Sequence, residues 1–367
     1  MTKNILIIDD SALMRRILSD IIKKDSRLHV ADIAKNGEMA LDIVKKNKEK
    51  FDVILLDYFM PDMNGDELLQ ELNKLNIKAK IVLISGVIKE DAMEIIHALE
   101  NGAFDFVTKP NNFILGKENH FQKKLLQCIE LATTVLEEEA RTNKQFCGRI
   151  QQKQEQSISI NTYKKQEKKK GSVRGEKLVA LACSTGGPKA LHQVVPKLPK
   201  NLDAPMIIVQ HMPKGFTNSL AIRLNEMSEI NVKEAEHGEV LEKGTVYIAR
   251  GGSQLRVTKN SMGRYMLQVT EEAARNGLKP CADIMYESLV GSDYDEIVCV
   301  VLTGMGGDGT AGIKQLNTKN NIYSIAQNAE TCTVYGMPKV FYESGLTNEV
   351  LPLQNIADAI WKHVGVR

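Results

Sequence analysis

The sequence lacks the features that mark disulfide-rich, zinc-binding, membrane-spanning and secreted proteins. Its six cysteines among 367 residues include no C-x-x-C pair, which argues against a disulfide scaffold and a structural zinc site. No run of about 18 apolar residues occurs, so no membrane span is expected. The first segment, MTKNILIIDD, meets two acids after a short apolar run, unlike a secretory signal peptide. These absences predict a cytoplasmic protein.

Net charge is also low. A formal charge of +2 excludes a uniformly basic nucleic-acid-binding protein. The charge is unevenly spread, however. Residues 1–140 carry 19 basic and 24 acidic side chains, residues 141–175 carry 10 and 2, and residues 176–367 carry 19 and 20. Two acidic or near-neutral blocks therefore flank one basic stretch, and the length suits two or three domains of roughly 150 residues.

The basic stretch, residues 141–175, is predicted to be a flexible linker. It holds only seven apolar side chains, too few to offset the entropy lost on ordering. Its composition is also compatible with a patch that binds RNA or a membrane surface. Because it has neither interleaved aromatics nor an amphipathic repeat, we expect no nucleic-acid partner and no membrane insertion.

The first block alternates apolar runs with helical patterns, and its last helical pattern continues to about residue 140. Five short strands separated by helices predict a parallel sheet covered on both faces. The strand segments are ILII (5–8), HVADIA (29–34), DVILLD (52–57), KIVLIS (80–85) and FDFVTKP (104–110).

Polar side chains occupy the ends of these strands, where ligands bind on such sheets. Asp9 and Asp10 follow the first strand and Asp57 ends the third. Three clustered carboxylates need a cation, and oxygen ligands suit Mg²⁺. Ser85 and Lys109, at the ends of the fourth and fifth strands, would satisfy the oxygens of a phosphoryl group on Asp57.

With the motifs IIDDSALMRR, LLDYFMPDMNG and GAFDFVTKP, residues 1–125 resemble the flavodoxin-like receiver domain of response regulators. The resemblance implies that Asp57 is the phosphoacceptor. It also implies Mg²⁺ held by Asp9, Asp10, Asp57 and the carbonyl of Phe59.

The same resemblance assigns Ser85, Phe106 and Lys109 to the switch that responds to phosphorylation. Phe106 would swing inward as Ser85 moves, although ordinary core packing explains an aromatic there equally well. The resemblance further implies a cis peptide at Lys109–Pro110.

The second block contains three strand–turn–helix segments with chemically useful residues. Ser184 lies in the Gly-rich turn of ACSTGGP, which would lift its hydroxyl above a sheet edge, although such a serine can also be a helix cap. His211 follows a buried strand in VQHMP and could serve as its base. Asp308, in VLTGMGGDG, could orient that histidine. GMGGDG also matches a dinucleotide-binding fingerprint, but an acid inside the turn would repel a pyrophosphate.

Six motifs in order resemble the catalytic domain of the chemotaxis protein-glutamate methylesterases of the CheB family. They are ACSTGGP, VQHMP, GTVYIARGG, PCADIMYESL, VLTGMGGDG and AQNAETCTVYGMP. The resemblance implies a doubly wound α/β domain over residues 176–367 with the triad Ser184, His211 and Asp308. Backbone amides near Met305 and around the Ser184 turn, and the hydroxyl of Thr185, are candidate oxyanion donors; capping of the helix is the alternative role for Thr185.

That family demethylates glutamyl esters on chemoreceptors, and its chemistry also suits deamidation of glutamine. The resemblance implies a receptor substrate, a histidine kinase as phosphodonor, a monomer, and no cofactor for the hydrolase. A regulator whose second block only binds a partner is the alternative. Cys183, Arg250 and Gln254 depart from the usual family residues; Arg250 and Gln254 are expected in a surface loop near the site, and Cys183 is expected to be a buried small thiol.

Overall fold

The computed structural model describes residues 2–86, 92–110, 121–137 and 175–367. The predicted linker, residues 141–175, therefore lies outside the described residues except for Gly175, and so do residues 138–140. Within the described ranges, no helix has the length and apolar character needed to cross a bilayer.

The amino-terminal part is a five-stranded sheet of order β2-β1-β3-β4-β5 in which every pair is parallel. This confirms the five predicted strands and the doubly wound arrangement. The elements are β1 (Lys3–Ile8), α1 (Ala12–Lys23), β2 (Leu28–Ala34), α2 (Gly37–Lys46), β3 (Val53–Asp57), α3 (Gly65–Lys74), β4 (Lys80–Ser85), α4 (Ala92–Glu100), β5 (Asp105–Thr108) and α5 (121–137).

Local sequence explains where these elements begin. All five residues of β3 are buried, as expected for a central strand covered on both faces. Helices α1, α2 and α3 start directly after Ser11, Asn36 and Asn64, whose side chains accept a backbone amide of the first turn. The loops that carry the acidic residues are thus anchored on both sides. The cis peptide bond among the described residues is Lys279–Pro280, so the cis prediction for Lys109–Pro110 is wrong.

The carboxyl-terminal part is a seven-stranded parallel sheet of order β14-β13-β12-β6-β7-β9-β8, with an antiparallel hairpin, β10–β11, beside it. The elements are β6 (Lys177–Cys183), α6 (Gly187–Val194), β7 (Met206–Gln210), α7 (Phe216–Met227), β8 (Asn231–Glu234), β9 (Thr245–Ile248), β10 (Gln254–Lys259), β11 (Tyr265–Thr270), α8 (Ala282–Ser288), β12 (Glu296–Val301), α9 (Thr310–Leu316), β13 (Ile322–Gln327), α10 (Met337–Glu343), β14 (Glu349–Leu351) and α11 (Ile356–Val364).

The first strand of this sheet lies at its centre. All seven residues of β6 are buried, and β6 pairs with β7 on one side and with β12 on the other. The chain order therefore reverses at β6. In open parallel sheets, such a reversal leaves a crevice at the carboxyl ends of the strands, where ligands bind.

Candidate functional site

The three residues predicted to form a triad lie at the carboxyl ends of the three adjacent strands β12, β6 and β7. Ser184 follows β6, His211 follows β7, and Asp308 lies in the loop between β12 and α9. The Ser184 amide donates to the Thr303 carbonyl at 3.0 Å, and the His211 amide donates to the Cys183 carbonyl at 3.1 Å. The sheet pairing thus continues into both loops and fixes where they start.

Glycines shape the turn around Ser184. Gly186 has φ of 78°, in the left-handed region that glycine adopts without strain, and the Gly187 amide donates to the Ser184 carbonyl at 2.7 Å. From the neighbouring loop, Gly304 approaches so closely that a Cβ there would lie 2.8 Å from the Cβ of Ser184. The turn at Ser184 and the loop after β12 therefore lie in close contact.

Asp308 is held as an ionised hydrogen-bond acceptor. Its Oδ2 lies 2.7 Å from His211 Nε2 and accepts the Ala282 amide at 2.6 Å, while its Oδ1 accepts from the Asp283 amide and the Cys281 thiol, both at 3.1 Å. Burial opposes ionisation, but these donors together hold the pKa of Asp308 well below its usual value. A carboxylate so held can orient His211 and stabilise its charged form.

The orientation of the His211 ring decides which nitrogen meets the serine. Because Nε2 faces Asp308, Nδ1 is the nitrogen left for the Ser184 hydroxyl. Among the described residues, no hydrogen bond joins Ser184 to His211 in this state. Such bonds are often long in enzymes without substrate and tighten when the substrate binds.

The predicted oxyanion donors have different surroundings. The Met305 side chain is 51% exposed, and its backbone amide has no hydrogen-bond partner in the described part of the chain. The Thr185 hydroxyl donates to Asp105 Oδ2 at 2.6 Å, and no side chain caps α6, whose N-cap is Gly186. Thr185 therefore does not cap the helix.

The predicted phosphoacceptor site forms at the carboxyl edge of the first sheet. Oxygens of Asp9, Asp10 and Asp57 lie within 4.8 Å of one another. Lys109 Nζ lies 2.7 Å from Asp57 Oδ2 and 3.1 Å from Asp9 Oδ2, and apart from that ion pair Asp9 Oδ2 accepts no hydrogen bond. A buried, under-satisfied oxygen in an all-oxygen cluster fits a Mg²⁺ ion. Phe59, whose carbonyl is the fourth predicted ligand, lies just beyond β3.

Burial and neighbouring charges have opposite effects on the pKa values of Asp57 and Lys109. Burial raises the pKa of Asp57 to about 6, although Lys109 lowers it and Asp9 adds to the increase. Burial disfavours the ammonium of Lys109 too, but Asp57 and Asp9 raise its pKa above the usual value. Lys109 therefore keeps its positive charge beside the Asp57 carboxylate.

The predicted switch residues extend from this cluster to the second domain. Ser85 is buried, its hydroxyl donates to the Gly86 carbonyl at 3.2 Å, and its own carbonyl accepts the Lys109 amide at 2.6 Å. Phe106 on β5 is buried with its ring centroid 4.6 Å from that of Phe216 on α7. Phe106 is thus part of the contact between the two domains rather than of one core alone.

The candidate triad opens into a cavity that both domains line. Its volume is about 930 Å³, and its walls include Ser184, His211 and Met305 from the second domain and Asp105 and Phe106 from the first. Burial raises the pKa of Asp105, although the hydrogen bond from Thr185 opposes the increase. The first domain thus contributes an acidic side chain to the neighbourhood of Ser184.

An ion pair reinforces the same domain contact. Arg223 on α7 donates from Nε and one terminal nitrogen to the two oxygens of Glu100 on α4, at 3.1 and 3.3 Å. His192 Nε2 on α6 lies 2.6 Å from Glu100 Oε1, outside hydrogen-bond geometry, and burial lowers the pKa of His192 to about 4. The Glu100 carboxylate therefore lies between the permanently charged guanidinium of Arg223 and the neutral imidazole of His192.

The three departures from the family residues have different outcomes. Cys183 is a buried thiol, as predicted, and it donates to Gln210 Oε1 at 3.0 Å. The surface-loop prediction for Gln254 is wrong, because it is the first residue of β10, is 0% exposed and accepts the Cys281 amide at 2.8 Å. Arg250 is partly exposed and forms an ion pair with Glu234.

Several contributors to the site were not predicted from the sequence. Cys281, Asp283 and the Ala282 amide, which hold Asp308, lie at the start of α8, in a motif to which no role was assigned. Asp105 directly precedes Phe106, the predicted aromatic switch, at the start of β5. An acidic residue next to that aromatic is the only feature of the sequence that could have indicated its role. The dinucleotide alternative for the loop after β12 is disfavoured, because its acid, Asp308, is committed to His211.

Two sequence families match the two parts of the chain. The model of the CheB methylesterase family matches residues 179–360, and that of the response regulator receiver domain matches residues 5–115.

Named relatives match over almost the whole length. A protein-glutamate methylesterase/protein-glutamine glutaminase of Bacillus subtilis (strain 168) is 39% identical over 359 residues, 97% of each chain. The protein of the same name from Halalkalibacterium halodurans is 39% identical over 357 residues, covering 97% of this chain and 96% of that one. Among solved structures, the CheB methylesterase catalytic domain of Thermotoga maritima is 40% identical, covers 51% of this chain and 98% of its own, and superposes with a TM-score of 0.49.

Proposed function

We propose that this chain, which belongs to the CheB methylesterase family and carries a receiver domain ahead of its catalytic domain, removes methyl groups from glutamyl esters of chemoreceptors and deamidates their glutamines. The observation that carries the proposal is the His211–Asp308 hydrogen bond of 2.7 Å at the strand end beside Ser184. The substrate side chains belong to the receptors' cytoplasmic helices, so the enzyme acts in the cytoplasm.

The first half of the reaction acylates the enzyme. Ser184 Oγ attacks the γ-carbonyl carbon of the ester while its proton moves to His211 Nδ1. The C–OCH₃ bond of the tetrahedral intermediate then breaks, and His211 returns the proton to the leaving oxygen, which departs as methanol. Asp308 stays ionised throughout and stabilises the charged imidazole.

The second half releases the product. A water molecule gives its proton to His211 and attacks the acyl carbon, and the Ser184 oxygen leaves with that proton. The product is a glutamyl carboxylate. A glutamine side chain reacts by the same steps, with ammonia leaving in place of methanol, and neither route needs a cofactor. The Met305 amide and the Thr185 hydroxyl are the proposed donors to the developing oxyanion.

The first domain is proposed to receive a phosphoryl group from a chemotaxis histidine kinase on Asp57. Asp9, Asp10, Asp57 and the Phe59 carbonyl would hold a Mg²⁺ ion, which supplies positive charge against the incoming phosphoryl oxygens when bound. Lys109 and Ser85 would bind two of those oxygens.

The unphosphorylated receiver is proposed to inhibit the catalytic domain. Asp105 engages Thr185, Phe106 packs on Phe216, and both first-domain residues line the cavity that contains Ser184. A phosphoryl group on Asp57 would draw Lys109 and Ser85 toward it. Because Lys109 lies just beyond β5, such a shift acts on the strand that carries Asp105 and Phe106 and favours the undocked state.

The domain bounds, the role of the linker and the oligomeric state belong to the same proposal. The receiver spans residues 1–125, with its last helix extending toward residue 140; residues 141–175 are the linker; and residues 176–367 are the catalytic domain. The linker allows docking and separation. The protein works as a monomer and binds no nucleic acid.

Methanol release from purified methylated receptor, measured with and without a small-molecule phosphodonor, tests the function. We expect release in both conditions and faster release with the phosphodonor. If neither condition yields methanol beyond the enzyme-free rate, the proposed substrate is wrong.

The change Asp57→Ala should leave the basal rate of methanol release intact and remove the stimulation by the phosphodonor, because alanine cannot accept the phosphoryl group. Asp42→Ala, which removes an acid from helix α2 of the same domain, is the control and should keep the stimulation. Stimulation that persists in Asp57→Ala would contradict the phosphoacceptor assignment.

The change Arg223→Met should raise the basal rate roughly fivefold and reduce the stimulation correspondingly, because a partly exposed ion pair contributes about 1 kcal/mol at most to the docked state. Methionine keeps the apolar stem of the side chain and loses the bond to Glu100, together with a 3.5 Å ion pair to Glu226 on the same helix. Arg256→Met is the matched control, since Arg256 makes an equally two-pronged pair with Glu272 inside the catalytic domain. An unchanged basal rate in Arg223→Met would show that this pair does not maintain inhibition.

A further inference from the structure

The buried side chain that connects the two predicted catalytic loops is Gln210. It is the last residue of β7, directly precedes His211, and is 2% exposed. Its Nε2 donates to the Ser184 carbonyl at 3.0 Å and to the His211 carbonyl at 3.3 Å. One amide group therefore bridges the backbones of the proposed nucleophile and the proposed base.

The surroundings of Gln210 fix which way its amide points. Its Oε1 accepts from the Cys183 thiol at 3.0 Å, which leaves the NH₂ group facing the two carbonyls. On the other side, a Cβ at Gly187 would collide with Oε1, so the first residue of α6 has to be glycine for the amide to fit. The end of β6, the nucleophile turn and the start of α6 thus enclose the carboxamide.

The chemistry of this position requires an uncharged double donor. The two carbonyl oxygens are acceptors that face one buried side chain, and a carboxamide supplies two N–H groups there without burying a charge. A carboxylate would instead face both carbonyls with its own oxygens.

We propose that Gln210 is a positioning residue, which holds the Ser184 turn and the His211 backbone at the separation that proton transfer needs. It acts through those two residues. The inference rests on the proposed triad mechanism and adds to it a residue that sets the triad's geometry.

Removing the bridge should lower turnover more than substrate binding. For Gln210→Leu we expect kcat to fall about 10- to 100-fold, the range in which small misplacements of catalytic groups act. KM should change by less than about twofold, because Gln210 is 2% exposed and contributes little surface to the cavity that it lines.

The change Gln210→Glu gives a readout that a merely structural role would not produce. At neutral pH, a carboxylate beside two carbonyls should cost at least as much kcat as leucine. The same surroundings disfavour the charged form and raise the pKa of the new carboxyl, so lowering the pH protonates it and restores one O–H donor. The kcat of Gln210→Glu relative to wild type should therefore rise as the pH falls, whereas that of Gln210→Leu should stay flat.

A matched control separates positioning from lost stability. The buried Tyr286 hydroxyl lies within hydrogen-bond distance of the carbonyls of Ala180 on β6 and Val300 on β12, at 2.9 and 3.3 Å. Tyr286→Phe therefore removes a comparable buried bridge from the middle of the same sheet. We expect it to lower Tm about as much as Gln210→Leu does, while kcat stays at the wild-type value.

Two measurements keep this proposal distinct from the proposed function. The rate at which a fluorophosphonate labels Ser184 reports the reactivity of the serine without any receptor. If wild type is labelled but releases no methanol, the proposed substrate is wrong, and slower labelling of Gln210→Leu still supports the positioning role.

Crystal structures of wild type and Gln210→Leu give the distance between the Ser184 and His211 carbonyls whether or not the protein is active. Unchanged kcat and labelling, or an unchanged distance, would overturn the role of Gln210.

Discussion

Replacing Ser184 by alanine is expected to reduce methanol release on the order of 10⁴- to 10⁶-fold, the range seen when a serine nucleophile is removed from a triad. The change deletes one partly exposed hydroxyl that packs no core, so Tm should be nearly unchanged. Release of methanol from methylated receptor and a thermal melt of the same preparation measure both effects.

Ser324→Ala is the control for the loss of a serine. Ser324 is a buried serine on β13 whose hydroxyl contacts the segment at Leu346 and Asn348, outside the catalytic loops. It should lose stability and keep its kcat, the reverse of Ser184→Ala. Methanol release by Ser184→Ala at the wild-type rate would remove the nucleophile assignment.

Replacing Asp308 by asparagine is expected to lower kcat by about 10⁴-fold, because the orienting acid of a triad both selects the histidine tautomer and stabilises its charge. Here the loss has a specific geometric cause. The Asp308 carboxylate accepts hydrogen bonds on both oxygens, and an asparagine must turn an NH₂ group toward donors on one side. Methanol release measures the effect.

The same substitution has a pH signature in stability. Because the folded-state pKa of Asp308 is lowered, its ionisation contributes stability that is fully present above the unfolded value of about 3.9 and is lost as the pH falls below it. Wild type should lose stability on acidification below about pH 4 more steeply than Asp308→Asn. The control Asp203→Asn removes a partly exposed acid paired with Lys243, and it should keep wild-type kcat. Equal kcat in Asp308→Asn and wild type would exclude the triad.

Strand-end residues were predictable from the sequence because parallel strands bring their carboxyl ends to one edge. Asp57 and Ser184 illustrate this, since each follows a continuous apolar run that can only be a buried strand. The positions of His211 and Asp308 then follow from the strand order. Because β12, β6 and β7 are neighbours in the sheet, the residues after these strands lie beside Ser184. A local sequence pattern is therefore enough to predict the position of a residue that lies at the end of a single strand.

Contacts between distant segments were not predictable, because no local period encodes them. Gln254 comes shortly after two glycines, which suggests a loop. It is nevertheless buried, because it accepts the Cys281 amide and donates to the Leu278 carbonyl, both far along the chain. Asp105 shows the same limit, since its partner Thr185 lies in the other domain. Gln210 stands inside a recognised motif, but its bridging role depends on two carbonyls that only the folded sheet brings together.

The central position of β6 has a consequence for how the protein is made. The ribosome delivers the first domain before the second, and domains generally fold as they emerge. Ser184 and His211 appear early in the second domain, but β12 and the acid that follows it arrive much later in translation. A nascent or truncated chain that ends before β12 would thus lack Asp308 and, with it, the proposed triad. Because the first domain, the proposed inhibitor, is synthesised before β12, incomplete synthesis is expected to yield inactive protein rather than unregulated esterase.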